Sequence, residues 1–465
     1  MLPNLSPAQL DSSPRGAPIR WAVLGGGLLG MVLAMRLAQH GHRVTLYEGA
    51  PALGGLASAW SLGSIVWDRH YHVTLLSDRY VRALLAELRL EDEMRWSTTR
   101  TGFYTDGTLY SFSNAIDFLK FPPLGWIDKA RLAATILYAS RLKSWQKLES
   151  VTVSDWLRRL SGSRTFDRIW LPLLRAKLGE NYRKASAAFI WAIIVRMYAA
   201  REAGIKQELF GYVSGGYART LSVFEQALRT LGVDVRCGSP LRELSQSGGK
   251  VVLEFDGSRE SADAAVMTMA APLVPRLCPS LSEAEKNALL RVEYQGIVCA
   301  SLLLNRPLSP YYITNITDGW VPFTAVIEMS ALVDRSFFNG KSLVYLPKYV
   351  DPADPHFQLS DDQLRELYFA ALARMYPHFR PEDVCAFRVS RVRYVFPIST
   401  LHYSQHIPAM RTSLQNVFVV NSSQIVNGTL NANETILLAE RAAALLVNHS
   451  SGGTLERQAI SESVA

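Results

Sequence analysis

The chain has 465 residues, 48% hydrophobic and 19% charged, which excludes a disordered or low-complexity protein and leaves room for two or three domains with sizeable cores. The net charge of +8 is uneven, because residues 120–210 hold 17 Lys and Arg against 7 Asp and Glu and the remainder is slightly acidic. The four cysteines (Cys237, Cys278, Cys299, Cys385) lie far apart without a CxxC or His-rich partner; no metal site is expected, and the thiols read as reduced, in a cytoplasmic protein.

Residues 1–18 are rich in Pro and Ser and lack an apolar run after basic residues, so a disordered leader rather than a signal peptide is expected. An apolar strand over 21–24 then runs into Gly25-Gly-Gly27-Leu-Leu-Gly30. Gly25 allows a tight turn, Gly27 lets the backbone approach a pyrophosphate, and Gly30 lets the next helix pack on the strand. That helix, over 28–39, aims its N-terminal amides and the positive end of its dipole at the phosphates. A second strand, over 43–47, delivers Glu48 to a ribose; Glu48 stands 23 residues beyond Gly25, against roughly 20 expected for such a ligand. The glycine turn, both strands and the terminal Glu agree on a dinucleotide.

The basic stretch 120–210 carries five of the ten tryptophans (Trp126, Trp145, Trp156, Trp170, Trp191) among apolar residues at helical spacing, such as Leu132, Ile136 and Leu142. One reading is a surface resting on anionic lipid headgroups. The other is a helical subdomain with Trp in the core and Arg and Lys on a solvated face. No recognition motif accompanies the charge, so no nucleic-acid partner is expected. The longest apolar helix, over 185–200, is interrupted by Arg196 and falls short of the ~20 residues a membrane span needs.

Gly211-Tyr-Val-Ser-Gly215-Gly216 precedes a helix over 218–230, and strands are expected over 234–237, 241–244, 251–255 and 264–269, with the last two joined around Asp256-Gly257. Near the C-terminus a buried strand over 416–420 precedes Asn431-Ala-Asn433-Glu434, where Asn431 and Glu434 have the form of a capping box opening a helix to about 447. Such a start can aim amides at a flavin pyrimidine ring, or it can be an ordinary capped helix. Residues 450–465 are polar and expected to be loose.

These motifs, in this order from Ile19 to Val447, resemble the flavin-containing amine oxidase superfamily, and the nearest likeness is to bacterial proteins similar to protoporphyrinogen oxidase. The latter resemblance rests on Asp68-Arg-His70-Tyr71-His72, on Pro322-Phe323 with Ile327-Glu328, and on Asn421-Ser-Ser-Gln424. It implies an α/β fold: a discontinuous Rossmann-like FAD-binding domain (19–75, 211–273, 391–449), a mixed-sheet substrate domain (76–118, 274–390) and a basic helical insertion (119–210). By the same resemblance Gly25, Gly27, Gly30, Glu48, Gly54, Gly55 and Leu56 hold FAD, and Leu241 meets the adenine through its backbone. The turn with Tyr71, together with Asn421 and the helix start at Asn433, Glu434 and Thr435, faces the flavin ring.

Three departures bear on the chemistry. No cysteine follows Cys385 to make the covalent flavin link of monoamine oxidases, so the flavin is expected to be non-covalent. Cys299, in Ile297-Val-Cys299-Ala-Ser, stands where many amine oxidases place a lysine, and Asn431 replaces the last glycine before the C-terminal helix. Only one GxGxxG is present, so reduced flavin is expected to pass electrons to oxygen, a quinone or another acceptor.

Acid–base candidates are few. His70 and His72 lie beside a strand end and can titrate near neutral pH, with His72 preferred by the resemblance; the alternative is one exposed histidine and one structurally hydrogen-bonded. Glu328 follows an apolar strand and reads either as a buried carboxylate with a raised pKa or as a surface group. Tyr403 lies shortly before the final strand, as part of a substrate wall or as packing. The expected function is an FAD-dependent oxidase or desaturase taking hydride from a hydrophobic substrate, isoprenoid or polycyclic, in the cytoplasm or on the inner face of the membrane. The alternatives are a redox-neutral flavin mutase of a nucleotide sugar, an amine oxidase, and a flavoprotein scaffold without turnover.

Overall fold

A computed structural model describes residues 18–199, 209–426 and 430–450; the expected leader and tail lie almost wholly outside them. Five parallel strands form the first sheet, in the order Asp234–Arg236, Arg43–Tyr47, Arg20–Leu24, Ala264–Met267, Val417–Val419. Successive side chains point to opposite faces of a strand, and this decides what covers each side. Trp21, Val23, Leu46, Val266 and Phe418 enter a core shared with the helices Leu28–Gln39, Gly216–Thr230 and Ala432–Ser450. Ala22, Leu24, Tyr47, Met267 and Val419 enter the opposite core, which is closed by the helices Val274–Leu277 and Glu283–Leu290 and by a small antiparallel sheet. Helix Leu28–Gln39 is apolar almost all round because it is enclosed by the sheet and helix Ala432–Ser450.

The small sheet is Glu243–Ser247, Lys250–Phe255 and Ser258–Ala262. Here the strand expected over 241–244 starts two residues later. Asp256-Gly257 turns into Ser258–Ala262 rather than leading directly to Ala264–Met267. That extra strand is polar and mostly exposed, so it carries no apolar alternation to read.

A second sheet has seven strands in the order Val384–Pro397, Tyr294–Leu304, Ser342–Val350, Ala325–Glu328, Ile313–Ile316, Thr101–Thr105, Thr108–Ser111. Tyr294–Leu304 is buried at all eleven positions. Val298, Ala300 and Leu302 face helix Asp361–Met375, whereas Ile297, Cys299 and Leu303 face Trp67, Tyr71 and Tyr345. A layer of helices (Trp126–Arg141, Val153–Ser161, Leu171–Leu178, Ala187–Ala199) closes over Phe396 and Ile398 at the end of the edge strand.

The chain crosses between the two sheets at other points than those expected. The boundary placed at 391 falls inside Val384–Pro397, which pairs with Tyr294–Leu304 along its length. Residues 274–290 pack into the nucleotide core, so the second sheet resumes at Tyr294. Helix Arg79–Glu87 likewise gives Val81, Leu84 and Leu85 to the nucleotide core, and strand Leu209–Val213 straddles the expected limit at 210, pairing with Thr74–Leu75 and Met94–Thr98. None of these crossings coincides with a shift in composition.

Candidate functional site: the glycine cradle and the Asp68–His72 turn

The nucleotide cradle is made of backbone in close approach. Gly25 has φ +117°, and a Cβ on Gly30 would lie 1.9 Å from the carbonyl oxygen of Gly25, so no other residue closes this turn. Gly54 N–H donates to Gly26 O at 2.8 Å, and a Cβ on Gly55 would lie 3.1 Å from Gly27 Cα. Gly27 is the N-cap of the 12-residue helix Leu28–Gln39 and offers it no side-chain cap, which leaves first-turn N–H groups for an anion.

Glu48 leaves its strand beside this turn. Its carboxylate accepts Gly26 N–H and Ala50 N–H, both at 2.7 Å, and each oxygen keeps a lone pair for a ribose hydroxyl. Pro240 packs over Gly49, and Leu241 next to it leans on the core that contains Tyr47. Glycines that side chains would fill, an uncapped helix start and a fixed carboxylate fit the diphosphate and ribose of a dinucleotide.

From the loop after Gly55 the chain makes the hairpin Ala59–Leu62, Ile65–Asp68 and enters the turn Asp68–His72. Arg69 N–H donates to Ser58 O at 2.9 Å. The ring of His70 spans two parts of the molecule. Nδ1 lies 3.1 Å from Leu56 O and therefore carries the proton, and Nε2 accepts from Ser390 Oγ at 3.0 Å. Burial pushes this imidazole down to about 3. With both ring nitrogens engaged, His70 is a tie between the nucleotide loop and the second sheet; it has no site left for a substrate proton.

His72 differs. Its Nδ1 is buried without a hydrogen-bond partner, its ring lies 5.0 Å from that of Tyr217, and burial pushes it down to about 4. It lines a small cavity with Asp68, Gly216, Tyr217, Leu28 and Ile436. Asp68, which sequence reasoning did not single out as a site residue, is 3% exposed and accepts Tyr217 N–H at 2.7 Å, capping helix Gly216–Thr230; burial pushes its carboxyl up to about 8. Its signal was its place in the same motif, but its partner is 149 residues away.

Tyr71 points to the second sheet, where its hydroxyl lies 2.6 Å from that of Tyr349. Lys177, from helix Leu171–Leu178, sits 3.6 Å above the Tyr349 ring and 5.0 Å from that of Phe396. No local pattern marked it. Cys299, which is fully buried, lies below, its thiol pushed up by burial. No shared metal cluster of His, Cys, Asp or Glu occurs among the described residues.

The other candidates divide. Glu328 is fully buried and pushed up to about 8, as one of its two readings had it, but it accepts the backbone N–H groups of Leu308 (3.1 Å) and Ser309 (2.9 Å). Strand alternation sets it opposite Ile327, the residue that packs with Trp67 and Tyr71, so it faces away from the turn and is corrected to a loop anchor. Tyr403 donates to Ser423 O at 2.7 Å and walls a separate cleft of about 240 Å³ with Arg291, Ile398 and His406. Asn421 accepts from Ser423 N–H and Oγ, while its buried Nδ2 is without a partner.

At the start of helix Ala432–Ser450, Asn431 accepts Glu434 N–H at 3.0 Å, and Thr435 Oγ1 donates to Asn431 O. The side chain of Asn433 is used within the protein, accepting Tyr80 N–H at 2.9 Å and donating to Glu434. What this helix start can offer a flavin is therefore backbone rather than the Asn433 and Thr435 side chains.

Comparison with known proteins places these features in one context. The flavin containing amine oxidoreductase family matches residues 30–447. The carotenoid phi-ring synthase of Streptomyces griseus is 26% identical over 77% of this chain and 74% of its own length. The coproporphyrinogen III oxidase of Mycobacterium tuberculosis is 27% identical over 57% of this chain and 62% of its own. A protoporphyrinogen oxidase-like protein of Exiguobacterium sp. 255-15 has the same fold, with a TM-score of 0.74 at 16% identity, covering 93% of this chain and 100% of that one.

Proposed function

The chain belongs to the flavin-containing amine oxidoreductase family and is an FAD-dependent oxidoreductase; from that premise we propose that it takes hydride from a hydrophobic substrate without a cationic group, of isoprenoid or polycyclic type. One observation carries this reading: the groups that line the turn beside the cradle are held uncharged at neutral pH. His70 and His72 are pushed down to about 3 and 4, Asp68 is pushed up to about 8, and the Cys299 thiol is pushed up as well. Arg69 is the exception: half-buried, it donates to Ser390 Oγ at 2.9 Å and lies 5.7 Å from the Trp60 ring. Around them stand Tyr71, Val73, Ile297, Tyr345 and Tyr349. The carboxyl there, Asp68, is already engaged in capping helix Gly216–Thr230, and a cationic amine entering would meet a steep desolvation cost.

In this reading FAD, bound non-covalently, supplies the two-electron acceptor. Gly25, Gly27, Gly30, Gly54 and Gly55 hold its diphosphate and Glu48 its ribose. The buried aromatic wall excludes water and orients the substrate carbon. Tyr71 and Tyr349 form that wall's polar point, and His72 offers its free Nδ1 from the other side of the turn. The carotenoid phi-ring synthase and coproporphyrinogen III oxidase named above support the substrate class by their own substrates, one isoprenoid and one polycyclic. Oxygen, a quinone or another acceptor would be needed to reoxidise the flavin that this cradle would hold.

Anaerobic titration of the flavin-loaded protein is the test. A polyene or a porphyrinogen is expected to bleach the flavin, which oxygen or a quinone restores. Bleaching by primary amines alone would overturn the reading.

A further inference from the structure

Four of the five tryptophans of the basic segment are core residues: Trp145, Trp156, Trp170 and Trp191 are all 7–8% exposed. The fifth, Trp126, is 71% exposed, and so is Ile127. Of the thirteen large hydrophobic side chains exposed among the described residues, six fall between 116 and 138: Ile116, Leu119, Trp126, Ile127, Leu137 and Tyr138. They lie on two consecutive helices, Ala115–Lys120 and Trp126–Arg141.

The second of these helices has its polarity inverted. Its outward positions include Trp126, Ile127, Ala130, Ala133, Ala134, Leu137 and Tyr138, with Arg131 and Arg141 as the only charges. Its acid and its lysine face the protein. Asp128 is buried, accepts from Thr165 and pairs with Arg164, and Lys129 donates to Leu119 O at 2.6 Å while lying 5.0 Å from the Trp126 ring. A helix meant for water presents the opposite pattern. An outward apolar stripe of this extent marks an interaction site.

We propose that this face is a docking surface for an anionic phospholipid bilayer, with Ile116, Leu119, Trp126 and Ile127 entering the headgroup–acyl boundary. Charge decides between a lipid surface and a second copy of the chain. Lys120, Arg131, Arg141, Lys143 and Lys147 are exposed around the stripe, and none makes an ion pair among the described residues. A symmetric dimer would lay this cationic face against itself, whereas lipid phosphates complement it. No helix among the described residues is long and apolar enough to cross a membrane, so the protein lies on the interface.

The proposal is independent of turnover and is tested without substrate. Flavin-loaded full-length protein is floated with phosphatidylcholine vesicles, with and without phosphatidylglycerol, at low salt. Flotation with the anionic vesicles is expected, together with an about tenfold loss of partitioning in the Trp126→Ser, Ile127→Ser double variant, whose unchanged flavin spectrum reports an intact fold. Wild-type protein that stays in the soluble fraction, or a double variant that floats equally well, would overturn it. So would light scattering that finds a wild-type dimer turned monomeric by the same two substitutions without vesicle binding, since a second copy would then cover the face.

Discussion

The carboxylate of Asp68 accepts the backbone N–H of Tyr217 at 2.7 Å, and the contact exists because Gly216 has no side chain: a Cβ there would lie 2.7 Å from the same oxygen. A buried acid thus starts a helix and closes one side of the cavity at His72. Asp68→Ala is expected to cost about 1 kcal/mol as a lost cap. Gly216→Ala should cost more, because φ there is +67° and the new methyl group meets the oxygen. Urea denaturation of both variants measures the order.

The alkaline side of the stability profile follows from two raised carboxyls. Asp68 and Glu328 are held near 8 in the fold, against ordinary values of 3.8 and 4.5. A raised folded pKa favours the protonated form, so this stabilisation is complete below about 4 and is lost as pH rises through about 8. Asp68→Asn is expected to flatten the loss, and the variant's melting temperature should gain on the wild type between pH 5 and 9.

On the acid side the histidines act with the opposite sign. His70 and His72 are held near 3 and 4 against 6.5, so they contribute stability above 6.5 that drains away as pH falls towards 4. Flavin release measured by fluorescence is expected to begin in that window. A His72→Asn variant that releases flavin over the wild-type pH range would contradict the assignment for His72.

Cofactor retention rests on the cradle. Gly30→Ala puts a methyl group 1.9 Å from a carbonyl oxygen and is expected to yield protein without bound flavin. Glu48→Ala is expected to weaken FAD by about 1.5–3 kcal/mol, the range for hydrogen bonds to a charged group. Isothermal titration of the stripped protein reads both.

Glu328 separates stability from chemistry. Glu328→Leu leaves the Leu308 and Ser309 N–H groups buried without partners and should cost about 1–3 kcal/mol for each, while substrate reduction of the flavin, measured well below the melting temperature, keeps its rate. A large drop in that rate in a folded variant would return Glu328 to the reacting centre.

Residues 19–55 were legible because their signals are local. Glycines with one permitted geometry, a strand alternation and a strand-terminal acid lie within one supersecondary unit, and the helix Leu28–Gln39 and strand Arg43–Tyr47 stand where they were expected. Burial was only one of two readings open for Glu328, and its direction was in neither, since a strand position names two faces and only the register with Ser342–Val350 chooses between them. Tryptophan content was the least informative signal. Trp126 and Trp145 belong to the same basic stretch, yet one is exposed and the other is core, a difference made by helix packing rather than by neighbours in sequence.

His70 has a further consequence as a spacer. Leu56 O and Ser390 Oγ lie on opposite sides of one rigid ring, so the gap between the nucleotide loop and the substrate sheet is gauged by an aromatic width rather than left to the mutual drift of two domains. Hydride transfer tolerates little drift, since a misplacement of about 1 Å costs on the order of a hundredfold in rate. A five-membered ring with both nitrogens engaged within the protein would thereby set the tolerance to which the reaction runs.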